Sequence, residues 1–141
     1  MARRRLTEDW SIELSEDFRV RDEQGAMQLT GPGGRTVWVN VWTPPPTRAP
    51  EALLDEILQD VHQAPEQRFR ESGSDAYEVR YASWYPEDGR WGLYGYTVRR
   101  ASYVQLAVLT DDAGDLDWAL ETWRSLRYAK TAVPKGMLRP A

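Results

Sequence analysis

Apolar and polar positions alternate along the first third of the chain, fall into helical spacing, alternate through three longer runs, and return to helical spacing. Trp10-Ser-Ile-Glu-Leu14 alternates strictly, which predicts a half-buried strand. Glu16-Asp17 marks a turn, and Phe18-Arg-Val-Arg21 is a short continuation. Residues 26–30 and 35–42 flank Gly31-Pro-Gly-Gly34, where glycine supplies the positive φ angles of a tight turn, so the two runs form a hairpin. Pro44-Pro45-Pro46 then bars further pairing, because proline has no N–H to donate.

Pro50 suits a first helical position, and Glu51 sets negative charge at the positive end of the helix dipole. Leu53, Leu54, Ile57, Leu58 and Val61 recur on one face, opposite Asp55, Gln59 and Asp60, so a helix is expected over 51–62, closed by Pro65. Residues 66–75 read as a polar connection. Runs at 77–85, 91–99 and 103–110, joined by turns at 86–89 and 100–102, predict an antiparallel meander. Asp111, Asp112 and Asp115 are N-cap candidates for a second helix through Leu126, with Leu116, Ala119, Leu120, Trp123 and Leu126 facing inward.

The expected architecture is α+β: an antiparallel sheet with two amphipathic helices. Its core is expected to hold Trp10, Ile12, Val37, Val39, Val41, Leu53, Ile57, Val79, Leu106, Leu120 and Trp123. One domain spans 10–128, with an N-terminal arm at 1–9 and an extended or disordered tail at 129–141. A chain of 141 residues buries a core without a metal or disulfide staple.

Composition narrows the function classes. Net charge is −4, from 22 acidic and 18 basic residues, which argues against a nucleic-acid partner. With no Cys there is neither a disulfide framework nor a thiolate nucleophile. The basic start, Ala2-Arg-Arg-Arg5, is not followed by the apolar stretch of an export signal, and no run suits a membrane span. The reading is a cytoplasmic protein of a bacterium, with no membrane partner. The basic residues are 16 Arg and two Lys, Lys130 and Lys135, a bias that fits GC-rich coding and also suits contact surfaces.

Catalytic chemistry finds little support. His62 is the single His, too few for a zinc site, and sits at the expected helix end where a cation is favoured. Asp111, Asp112, Asp115 and Asp117 lack the spacing of a calcium loop and suit helix capping. Gly31-Pro-Gly-Gly34 lies between strands and is followed by neither a helix nor the Lys of a phosphate loop, and Gly73-Ser-Asp75 lacks the glycine pattern of a nucleophile elbow. No catalytic residue, cofactor or metal is expected, so the protein is read as not an enzyme.

The aromatics carry more. Seven Trp and seven Tyr stand largely inside the strand runs. In Val37-Trp-Val-Asn-Val-Trp42 the valines point one way, and Trp38, Asn40 and Trp42 the other. Arg80 and Trp84 share one face of their run, and Tyr94 and Tyr96 share one face of theirs. Trp38, Asn40, Trp42, Arg80, Trp84, Tyr94 and Tyr96 are therefore the candidate contact surface, rich in the residue types of interface hot spots. Either a helix covers this face and the aromatics are a second core, or the face is partly open. The leading function is a protein-interaction module, with an inhibitory or toxin-neutralising role among its forms, that meets a protein partner or a second copy of itself; the alternative is a binder of small ligands or carbohydrates through an aromatic pocket.

Trp10-Ser-Ile-Glu-Leu-Ser-Glu-Asp-Phe-Arg-Val20, the helix after a proline-rich link and the closing Asp117-Trp-Ala-Leu-Glu-Thr-Trp-Arg-Ser-Leu126 resemble PsbP-like domains. That superfamily takes in photosystem PsbP, the Ran-binding Mog protein and bacterial DcrB-like proteins. Ser15 stands where the family usually has Pro, and Phe18 where it has Trp. Over about 10–128 the resemblance implies an α/β/α sandwich used for binding or assembly, and it transfers no site residue.

Overall fold

The computed structural model describes residues 2–23, 26–43, 49–61, 64–73, 75–100 and 102–129. The strands are β1 (Ala2–Arg5), β2 (Trp10–Leu14), β3 (Arg19–Glu23), β4 (Ala26–Thr30) and β5 (Thr36–Trp42), followed by helix α1 (Pro50–Gln59). Then come β6 (Gln67–Ser72), β7 (Val79–Glu87), β8 (Arg90–Val98), β9 (Tyr103–Thr110), helix α2 (Leu116–Arg124) and the short β10 (Arg127–Tyr128). Seven strands form one antiparallel sheet in the order β3-β4-β5-β9-β8-β7-β6, and β1-β2-β10 form a second, small sheet.

The large sheet has two unlike faces. On one, Val37 and Val39 of β5, Leu93 of β8, and Val104, Leu106 and Val108 of β9 meet α2 and the small sheet. Trp10, Ile12 and Leu14 close this core from β2, while Ala119, Leu120 and Trp123 close it from α2. The Trp123 indole lies directly over Gly95, where a Cβ would come within 2.5 Å of its Cδ1. On the opposite face α1 buries Leu53 and Leu54 against Val98, with Ile57, Leu58, Val79, Tyr81, Tyr96 and Tyr103 packed around them. The α+β sandwich expected from sequence is therefore the fold. Of its expected core residues, Val41, Ile57 and Val79 are half-buried and the others are buried.

Local physics explains the departures. The stretch read as a polar connection contains β6, an edge strand pairing with β7 from Gln67↔Trp84 to Ser72↔Val79. Edge strands keep charged side chains in solvent, so Arg68, Arg70 and Glu71 hide the strand from a burial pattern. Residues 2–5, expected as part of an arm, pair with β2 instead. Arg3 donates to the Ser125 carbonyl at 3.0 Å and Arg4 to the Ser15 carbonyl at 3.1 Å, so two of three arginines join this run to the body. The helix expected to reach 62 ends at Gln59. His62, the proline run 44–46 and residues 130–141 lie outside the described residues.

The aspartates divide their work. The Asp112 carboxylate accepts from the Gly114 N–H at 2.8 Å and caps a 3-10 turn over Ala113–Asp115. Asp115 makes no cap bond; it receives Arg35 NH2 at 2.8 Å and Nε at 3.2 Å, and the Thr110 hydroxyl donates to it as well. Arg35 in turn lies 4.2 Å over the Trp118 ring, fixing the start of α2 to the turn before β5.

Candidate functional site: the aromatic sheet face

Strand register sorts the face under α1 into rows. Trp38, Ala107, Tyr94 and Ser83 stand side by side across β5, β9, β8 and β7. The next row is Asn40, Gln105, Tyr96 and Tyr81, and the third is Trp42, Tyr103, Val98 and Val79. The contacts of α1 fall on β7 and β8, over the third row and part of the second. Toward β5, Trp38 and Asn40 are half-buried, as are Tyr94 and Tyr96 on β8. Trp42 is 49% exposed, its ring stacked on Tyr103 at 6.3 Å.

Five of the seven candidate residues thus share this face, and two do not. Arg80 pairs with Thr97 and Trp84 with Leu93, so both project into the core on the opposite side. Trp84 is buried and stacks on Trp91 at 5.3 Å. Arg80 is buried with Glu78 at 2.9 Å, and it donates to the carbonyls of Arg124 and Leu126 at 2.8 and 2.6 Å. Residue type misleads at these two positions: an Arg beside aromatics looks like a contact patch, whereas here it neutralises a buried carboxylate and ties down the end of α2.

A groove completes the face. Leu58 of α1 and Val61 just beyond the helix oppose Ser83, Tyr85, Glu87, Tyr94 and Tyr96 around a cavity of about 310 Å³. A second hollow of about 330 Å³ continues past Leu58, Val61 and Tyr85 to Pro65, Arg68 and Tyr81. Tyr94 lies over Gly92, where a Cβ would meet its ring at 2.9 Å, and its hydroxyl donates to Glu87. Burial pushes the Tyr94 phenol above its ordinary range, and the Glu87 carboxylate adds to that. Burial also raises Tyr96 and Tyr103. These phenols are neutral hydrogen-bonding groups at pH 7.

The candidate set from sequence omits Ser83, Tyr85 and Glu87. The signal was present, since Tyr81, Ser83, Tyr85 and Glu87 follow at two-residue spacing on one side of β7. What sequence could not supply was the register that sets this side, and not that of Arg80 and Trp84, beside Tyr94 and Tyr96. Among the described residues no group of three or more His, Asp or Glu side chains is placed to hold a metal, and no helix is long and apolar enough to cross a membrane.

The chain matches no protein-family model and no curated protein. Solved structures do resemble it. A Bacteroides thetaiotaomicron VPI-5482 protein superposes with a TM-score of 0.62 at 13% identity; the match covers 93% of this chain but 47% of that one, so this chain spans about half its length. Cyanobacterial PsbP (CyanoP) of Synechocystis sp. PCC 6803 superposes with a TM-score of 0.65 at 12% identity, over 91% of this chain and 92% of its own. Sheet order, the two helices and near end-to-end agreement with CyanoP lead to one conclusion: the chain has the PsbP-like fold.

Proposed function

We propose that this protein is a non-enzymatic interaction module that binds a protein partner through the aromatic face around Trp38, Asn40, Trp42, Tyr94 and Tyr96. The observation that carries the reading is Trp42, 49% exposed on a paired strand and stacked on Tyr103, at the side of the sheet that α1 leaves free. A ring fixed by a strand loses little side-chain entropy on binding, and Trp and Tyr present large area on two rotatable bonds. The setting we propose is a bacterial cytoplasm, with an inhibitory or toxin-neutralising role. The groove of about 310 Å³ favours a second reading, a small organic ligand or sugar held among tyrosines, which native mass spectrometry of the purified chain would reveal as retained mass.

The test is capture of partners from source lysate by the intact chain, by Trp42→Ala, and by Tyr77→Ala. Tyr77 is 73% exposed before β7 and serves as an off-face aromatic control. Trp42→Ala weakens binding of the captured partner by about 1–2 kcal/mol or more with nearly unchanged melting temperature, whereas Tyr77→Ala changes neither. Equal binding by Trp42→Ala and the parent chain defeats the reading.

A further inference from the structure

The groove beside α1 differs chemically from the rest of the aromatic face. Tyr85 and Tyr94 meet edge to face, with centroids 5.7 Å apart and planes at 69°, so their rings form a corner in place of a flat wall. Tyr96 adds a third ring from the next row, and Leu58 and Val61 supply an aliphatic wall. Glu87 stands exposed at the mouth, followed by exposed Asp88 in the turn.

The charge of Glu87 is not cancelled by its neighbour on β8. Arg90 is its register partner, but the Arg90 guanidinium is held by Asp111 Oδ1 at 2.7 Å and by the Gly34 carbonyl at 2.6 Å. The bond from Tyr94 spreads the carboxylate charge without removing it. Arg68, the register partner of Ser83, lines the flanking hollow, so its charge directs a cation away from β6 and toward the Glu87 end. Ring faces, an aliphatic wall and one carboxylate suit an organic cation with an apolar stem. They repel an anion, and they offer a sugar few fixed polar partners. At about 310 Å³ the groove is at the small end for ligand sites, suited to a side chain rather than to a whole cofactor. The chain's net charge of −4 favours encounter with a basic partner.

We propose that this groove receives the ammonium or guanidinium head of a Lys or Arg side chain presented by the protein partner, a site that rests on the interaction reading above. The full chain is titrated with N-acetyl-arginine amide and N-acetyl-lysine amide, with N-acetyl-norleucine amide and methyl glucoside as neutral probes, and tyrosine ring resonances are followed by NMR. Saturable shifts at Tyr85, Tyr94 and Tyr96 are expected with the cationic amides, at least about tenfold weaker with norleucine amide. Glu87→Gln, a change at an exposed position, abolishes that preference, and Tyr94→Phe keeps it. Equal response to the norleucine amide, preference for the glucoside, or no saturable shift overturns the site.

Lysate capture separates the two ideas. Capture lost in Trp42→Ala but undiminished in Glu87→Gln sinks the basic side chain and leaves the interaction reading. Capture untouched by either variant, with the amide shifts intact, overturns the partner as the source of the cation and assigns the groove to a free amine.

Discussion

Arg80→Met is the sharpest test of how the core face is held. Arg80 is 4% exposed and Glu78 2%, and their 2.9 Å contact lies where β7 passes beneath the end of α2. The same guanidinium donates to the carbonyl of Arg124, one of the last that α2 leaves without an intrahelical partner, and to that of Leu126 just beyond the helix. Methionine fills a similar volume, so lost packing is a minor part of the cost. The Glu78 carboxylate keeps Arg99 at 3.3 Å, and that arginine is shared with Asp75 at 3.1 Å. Removing one member of a buried pair costs about 3–5 kcal/mol where the charge left behind is uncompensated, and Arg99 holds the cost here toward the lower figure. Against a total stability of about 5–15 kcal/mol the variant still folds, at a much lower urea midpoint. The double variant Glu78→Gln with Arg80→Met removes the buried carboxylate that Arg80 no longer faces and should recover at least about 1–2 kcal/mol, short of full recovery because the two carbonyls stay unserved. Urea unfolding at pH 7, followed by Trp fluorescence, measures both. A loss below about 1 kcal/mol in the single variant, or a double variant less stable than the single, refutes the reasoning.

Gly95→Ala drives a methyl to within 2.5 Å of the buried Trp123 indole and should destabilise by about 1–3 kcal/mol, read as a lower melting temperature with altered near-UV dichroism; an unchanged melt rejects the close packing. Stability should also fall at both pH extremes. The Arg35 hydrogen bonds hold the Asp115 carboxyl below 3.8, so its contribution is complete above that value and drains away as pH falls through the folded pKa; Asp115→Asn loses that part of the acid limb. Tyr94, Tyr96 and Tyr103 are raised above 10.0, so the unfolded chain gives up these protons first and stability declines as pH rises past 10.0; Tyr94→Phe flattens the decline.

Sequence revealed most of what burial dictates and little of what register dictates. The valines of β5, the Leu53 and Leu54 stripe of α1 and the Leu120–Trp123 side of α2 follow from periodicity, because their partners are simply the protein interior. β6 stayed hidden because a solvated edge strand does not alternate in hydrophobicity, and β1 because three arginines do not look like a strand. The candidate site failed at one step. Trp38, Asn40, Trp42, Tyr94 and Tyr96 share one face of the sheet, while Arg80 and Trp84, aromatic-polar in type like them, lie on the other. Shifting one residue along a strand reverses the face, so their assignment depended on the register of the β7–β8 hairpin, which residue type does not reveal.

The two faces of the large sheet answer to different constraints. At 12% identity with CyanoP, a common fold must rest on pattern rather than on particular side chains: alternation in the strands, small residues where a helix presses close, and helices of the right length. The core face here is built from such features, with Gly95 beneath Trp123 and valines opposite leucines. The outer rows of the other face, and the groove with Glu87 at its mouth, are not needed for that pattern; a leucine at Trp38 or a glutamine at Glu87 leaves the alternation intact. The fold alone therefore does not call for an exposed Trp42 or for the Glu87 carboxylate beside Tyr85, Tyr94 and Tyr96. Function has to be argued from these residues, because similarity of fold leaves them unconstrained.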